Sequence, residues 1–197
     1  MKTNFTDRQS GAVNATHADW RHGMRGFSLI ELITTVSILS IMLAIAVPSF
    51  SKMISDNRML AGANSLAAGI TFAKSQAVKL ARPVTICPST DGTGCNGTLF
   101  DQGWVVVVDT ISDVATAPAL DTTLASIPGG ILMTSGKMEN SAVTKTNQAW
   151  VRFLPRGTAT EVSTITVKPS GTCNTSYSWQ QVDVGIAGRV SITKKPC

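Results

Sequence analysis

The chain has 197 residues, of which 43% are hydrophobic, 6% aromatic and 15% charged, with a formal net charge of +5. That length suits one core-bearing domain with an appendage rather than two full domains. The first 26 residues carry net +2 (Lys2, Arg8, Arg21 and Arg25 against Asp7 and Asp19), leaving +3 for the remainder, which is not a polyanion-binding composition on its own.

After this polar opening, residues 27–47 read FSLIELITTVSILSIMLAIAV, with Glu31 as the one charged side chain. About 20 apolar helical residues cross about 30 Å of hydrocarbon, so the segment is of membrane length. Arg21 and Arg25 precede it and no comparable cluster follows, which places the N-terminus in the cytoplasm and everything beyond Val47 on the other side. A secretory signal would have a shorter apolar core and a small-x-small cleavage site at its far end. Here the far end is Val47-Pro48-Ser49-Phe50, and the small residue after an arginine, Gly26, lies at the near end. The apolar run is therefore expected to be retained, with any cut made before it. A carboxylate in hydrocarbon costs about 3 kcal/mol on insertion scales, which marks Glu31 as a functional residue.

Past Pro48 the pattern stays helical. Met59, Ala63, Leu66, Ile70, Ala73, Ala77 and Leu80 recur at intervals of four and three, an apolar stripe along one face. Its small alanines favour close packing on a sheet over a coiled coil with another subunit. Pro48 removes one helical hydrogen bond and is expected to kink or loosen the helix at the membrane exit. The helix is expected to end at Ala81-Arg82-Pro83, because the residue before a proline is driven out of helical geometry.

From Pro83 the period falls to two. Residues 84–86, 104–108, 131–133, 150–153, 163–168, 181–186 and 189–192 read as strands, with the longest loop at 109–130. One helix followed only by strands is an α+β arrangement with an antiparallel sheet. The sequence thus divides into a leader (1–26), an apolar helix (27–47), its amphipathic continuation (48–81) and a β-domain (82–197).

Cys87, Cys95, Cys173 and Cys197 all lie beyond the apolar segment, in a compartment where disulfides persist. Four cysteines allow three pairings. The favoured one joins Cys87 to Cys95, closing a small loop, and Cys173 to Cys197. Zinc competes poorly, because gaps of 7, 77 and 23 residues are not the short pairs of a zinc ribbon. Asp91-Gly92-Thr93-Gly94-Cys95-Asn96-Gly97 lacks the lysine and following helix of a phosphate-binding loop and reads as a turn between strands. The two histidines, His17 and His22, precede Gly26, so a chain cut there has no Ser-His-Asp or Cys-His arrangement and lacks the usual transition-metal ligands. An enzyme is not expected, nor a cofactor.

Arg25-Gly26-Phe27-Ser28-Leu29-Ile30-Glu31-Leu32 resembles the class III signal of type IV pilins and type II secretion pseudopilins, with Glu31 fifth and Pro48 twenty-second after the glycine. Arg82-Pro83-Val84-Thr85-Ile86-Cys87-Pro88-Ser89, Gly103-Trp104-Val105 with Asp109, Phe153-Leu154-Pro155-Arg156-Gly157 and Gly188-Arg189-Val190 are similar to minor pilins of the GspH/FimT/FimU type. The resemblance implies a type IV pilin-like fold, a long N-terminal helix packed on an antiparallel β-domain. It also implies cleavage between Gly26 and Phe27 by a membrane-embedded prepilin peptidase, and methylation of the new N-terminus. The chain would then leave the inner membrane, its β-domain periplasmic, to join other major and minor pilins or pseudopilins in a filament. Glu31 would meet the N-terminal ammonium of a neighbouring subunit, and Pro48 would mark the membrane exit. The leader departs from the pattern in its length of 26 residues, although a start at Met24 would supply a minimal one.

Three roles are open on this resemblance: a minor pilin priming a type IV pilus, a FimT-like DNA-binding minor pilin of natural transformation, or the H-type pseudopilin of a type II secretion system. The pilus role is preferred. For DNA, the Gly-Arg-x-Arg motif of transformation-type proteins reads here Gly188-Arg189-Val190-Ser191, with Ser191 in place of the second arginine. Arg189, Lys194 and Lys195 would offer weak, non-specific and salt-sensitive contact to phosphates.

Overall fold

The computed structural model describes residues 26–123, 127–171 and 177–197. Almost all of the expected leader, and Cys173, lie outside the described residues. The chain divides into two compact units, 1–43 and 44–197.

Helix α1 (Leu29–Leu80) begins in the first unit and continues in the second, with Pro48 inside it. A proline has no N–H, so the carbonyl of Ala44 loses its helical partner there, and the division between the units falls at that turn. The helix is nonetheless continuous through Pro48. In the first unit its side chains are all exposed. Four hydroxyls there are satisfied by the helix itself: Thr34 donates to the Glu31 carbonyl at 3.0 Å, Thr35 to Leu32 at 2.9 Å, Ser37 to Ile33 and Ser40 to Ser37 at 2.8 Å. That bonding lets polar residues sit in an apolar segment at small cost.

The second unit carries α1 beyond Ala44 and eight strands. These are β1 (Val84–Pro88), β2 (Trp104–Val108), β3 (Ile131–Ser135), β4 (Ser141–Lys145), β5 (Val151–Phe153), β6 (Ser163–Pro169), β7 (Ser178–Val184) and β8 (Val190–Pro196). They form two four-stranded sheets, ordered β3-β2-β1-β5 and β4-β6-β7-β8, with every pairing antiparallel. The antiparallel β-domain expected from the sequence is thus built as two sheets.

The expected stripe is the buried face of α1: Met59, Ala63, Leu66, Ile70, Ala73 and Ala77 join Gly69 in the core. It packs with Val84, Ile86, Trp104 and Val106 of the first sheet and Val143, Ile165, Val167, Val182 and Val184 of the second. Packing on the chain's own sheets, not a coiled coil, uses this face. Gly69 allows the closest approach, with the Trp104 indole lying where a side chain would start. The helix stops at Leu80, and Ala81 takes a φ of 52° before Pro83.

Candidate functional site

Gly26, Phe27 and Ser28 precede the first turn of α1 and are not helical. Among the described residues no atom lies within 4 Å of a Cβ built on Gly26, and Phe27 is 80% exposed. Glu31 stands in the first helical turn, where the helix dipole favours an anion. From Phe27 to Ser51 it is the only ionisable side chain, and among the described residues no group pairs with its carboxylate. Around it Leu29, Ile30, Leu32, Ile33, Val36, Ile38 and Leu39 are each more than half exposed. An apolar surface this large requires a cover of lipid or other helices.

Within the second unit the C-terminal hairpin of β7 and β8 lies against α1 through two polar ties. Asp56 accepts from the Ser178 hydroxyl at 2.8 Å and pairs with Lys194 at 3.1 Å. Burial raises the pKa of Asp56, but the Ser178 and Lys194 bonds outweigh it and hold the carboxyl below its ordinary value. At the hairpin turn Lys74 donates to the carbonyls of Ala187 at 2.9 Å and Gly188 at 3.1 Å. Gly188 has a φ of +69°, and a Cβ there would meet the Gly157 carbonyl at 2.6 Å.

The strand does not gather the three expected DNA-contacting cations on one face. Lys194 points toward α1 and its Asp56 partner, whereas Lys195 lies opposite Trp179 on the outer face. Successive strand residues point to opposite faces, so this separation follows directly. Arg189 is exposed and precedes the strand, beside Asp183 and Ser191 in an open cavity of about 350 Å³.

Cys87 and Cys95 are joined, as the sequence suggested. Cys197 is also disulfide-bonded, while its expected partner Cys173 falls outside the described residues. The loop closed by Cys87–Cys95 is ordered by side chains: Asp91 accepts from the Thr93 amide at 2.8 Å, and Asn96 from the Thr90 amide at 2.9 Å. The Thr93 and Asn96 bonds pull the Asp91 pKa down to about 2.

A buried polar centre escaped the sequence reading. Arg152 and Asp109 are wholly buried and paired at 2.9 Å. The guanidinium also donates to Thr85 Oγ1 at 3.2 Å, to the Thr116 carbonyl at 3.0 Å and to the Asp113 carbonyl. Asp109 Oδ1 accepts from the amides of Ile111 at 2.9 Å and Ala119 at 3.0 Å. Arg82, beyond the end of α1, pairs with Asp121 at the loop's far end. Together these groups fix the loop between Asp109 and Asp121. Among the described residues no group of three or more His, Cys, Asp or Glu side chains is placed to hold a metal.

Residues 62–188 match the family described as type II transport protein GspH, and residues 21–47 match the prokaryotic N-terminal methylation motif. The chain belongs to the GspH family. Its place there is as a pilin-like subunit, in a family of minor pilins and pseudopilins whose members assemble with other pilins. The fold of this GspH-family chain is that of the type IV minor pilin FimU of Pseudomonas aeruginosa, with 16% identity and a TM-score of 0.50 over 70% of this chain and 89% of that one. The minor pseudopilin EpsH from the type 2 secretion system of Vibrio cholerae matches with 9% identity and a TM-score of 0.45, over 69% of this chain and 96% of that one. No curated protein matches the chain. The apolar helix and the methylation motif associate the GspH-family chain with membrane anchoring and filament incorporation.

Proposed function

We propose that a prepilin peptidase cuts this chain between Gly26 and Phe27 and that the mature chain enters a type IV pilus as a minor subunit. The observation that carries the reading is the non-helical Gly26–Phe27 bond, directly ahead of an apolar helix whose first turn holds Glu31. Before cleavage Glu31 sits near the cytoplasmic edge of the inner membrane and is hydrated. After cleavage each Phe27 gains an α-ammonium. When apolar helices leave lipid and bundle, the Glu31 carboxylate of one subunit meets the ammonium of the next, offsetting the desolvation that either charge alone would suffer. The same pair sets the axial register of an incoming subunit. Pro48 relaxes the helix where it emerges.

Mass spectrometry of the filament-associated protein tests this. Phe27 as the N-terminal residue is the expected result, and Gly26→Ala leaves full-length protein in the inner membrane. Because no atom of the described residues crowds Gly26, a fault in that variant reports on cleavage rather than folding. Any other mature N-terminus removes the reading.

A second reading, an H-type subunit of a type II secretion filament, is favoured by the description of the family model that covers residues 62–188. Deletion of the gene separates the two. Lost surface fibres and twitching support the pilus, and exoproteins held in the periplasm support secretion.

A further inference from the structure

Strand β8 is the edge of its sheet, and among the described residues no strand lies beyond it. The phase of its bonding is fixed at both ends. The Gly185 amide donates to the Arg189 carbonyl at 2.9 Å, and the Cys197 amide to the Tyr177 carbonyl at 3.1 Å. Bonded pairs alternate along an antiparallel ladder, so residues 191, 193 and 195 also bond to β7. The amides and carbonyls of Val190, Ile192 and Lys194 therefore point away from the sheet with no partner among the described residues. Pro196 ends this row, having no N–H and a carbonyl taken by Trp179 Nε1 at 3.1 Å. The edge at β5 differs, since the Thr160 amide already bonds the Arg152 carbonyl at 3.0 Å.

An open edge is a template for another strand. Its charge selects the occupant. Arg189, Lys194 and Lys195 line it, no acidic residue follows Asp183, and Lys194 stays 60% exposed despite Asp56. A second copy of β8 would bring both sets of cations onto one ladder, where like charges oppose pairing. Val190 and Ile192 flank the core at half-buried positions, offering an apolar inner margin. We propose that the free edge of β8 receives an extended segment of another polypeptide, one that alternates apolar and acidic side chains. Its apolar residues extend the inner layer beside Val190 and Ile192. Its carboxylates, on the opposite face, meet Lys195 at one end and Arg189 at the other. The cations that keep β8 from pairing with itself then include the groups that choose its partner.

The test uses the full-length chain, isotopically labelled, in detergent micelles. A short peptide alternating valine and glutamate slows amide exchange at Val190, Ile192 and Lys194, and one alternating valine and lysine does not. Ile192→Pro removes an outward N–H and no bond to β7, a substitution an edge strand accepts. It leaves the unfolding temperature close to that of the parent and weakens the peptide about tenfold, the worth of roughly one ladder bond. The pair Arg189→Glu and Lys195→Glu reverses the peptide preference, which reads the edge independently of the proline and leaves the Lys194–Asp56 tie in place. No protection by the valine–glutamate peptide, equal binding of both peptides, or binding unchanged in folded Ile192→Pro overturns the proposal. A DNA duplex that shifts the Lys194 and Lys195 resonances while the acidic peptide leaves the amides unprotected assigns the cations to phosphate, and also overturns it. None of these outcomes depends on cleavage at Gly26.

Discussion

A Cβ on Gly69 would lie 2.4 Å from Cη2 of Trp104, so helix and sheet meet where bare backbone faces an indole edge. Overpacking of a tight core costs about 1–3 kcal/mol, and alanine returns about 1 kcal/mol of helix propensity. The contact touches three ring atoms, which puts Gly69→Ala at the upper end, a net loss of about 2 kcal/mol. Trp104→Phe withdraws the outer ring edge, so the two substitutions combined destabilise less than their sum in thermal unfolding.

Arg152→Met should be far more damaging. It strands Asp109 as an unpaired buried carboxylate and releases the carbonyls of Asp113 and Thr116. Removing one partner of such a pair costs about 3–5 kcal/mol. Lysine has one terminal nitrogen and cannot reach acceptors on three sides, so Arg152→Lys rescues little. Denaturant unfolding measures the loss, and proteolysis between residues 110 and 119 reports release of the loop.

The pH dependence follows from the carboxylates. Asp91, held by the Thr93 amide, titrates at about 2, and Asp121, held first by Thr123, and Asp56 both lie below the ordinary 3.8. Each binds fewer protons folded than unfolded in that interval. Their stabilisation is therefore complete above the unfolded value and lost as pH falls through the folded one. A mature chain starting at Phe27 contains no histidine. Its denaturation midpoint should be flat between about pH 5 and 8 and fall only below about pH 4.

Glu31→Ala should be cleaved and inserted as well as the parent, yet be depleted from filaments. Truncating one member of a desolvated charge pair costs about 2–5 kcal/mol, more than about tenfold in partitioning. Glu31→Gln keeps the shape without the charge and should fail similarly. Quantifying each variant in sheared filaments against the membrane fraction decides it, and parental levels of Glu31→Gln there would eliminate the ammonium pairing.

The helix, its buried stripe and most strand positions were legible because each has a strong apolar period. Strand β4 was not, since Ser141-Ala142-Val143-Thr144-Lys145 holds a single large apolar side chain, Val143, facing inward. The start of β7 was hidden for the same reason, with Ser178 and Gln180 occupying inward positions. Ile186 drew the expected strand too far, yet it lies in the turn and is 53% exposed. Division into two sheets depends on contacts distant in sequence. So does the Arg152 centre: a lone arginine between Val151 and Phe153 gives no sign that Asp109, 43 positions earlier, waits for it. The N-terminal methylation motif was readable because it is a pattern of consecutive residues and needs no distant contact.

The polar ties between α1 and the hairpin have a mechanical consequence. Asp56 holds the end where Ser178 and Lys194 lie, and Lys74 holds the turn at Ala187 and Gly188. The two helical anchors are 18 residues apart, about 27 Å along the axis at ~1.5 Å per residue. Tension along the helix in a pulled fibre thus enters the hairpin at both ends and runs parallel to its strands. Load in that direction is carried by the backbones of both strands side by side, because Asp56 holds β7 through Ser178 and β8 through Lys194. The hairpin becomes a brace for the helix, and cutting either anchor would take it out of the path of the load.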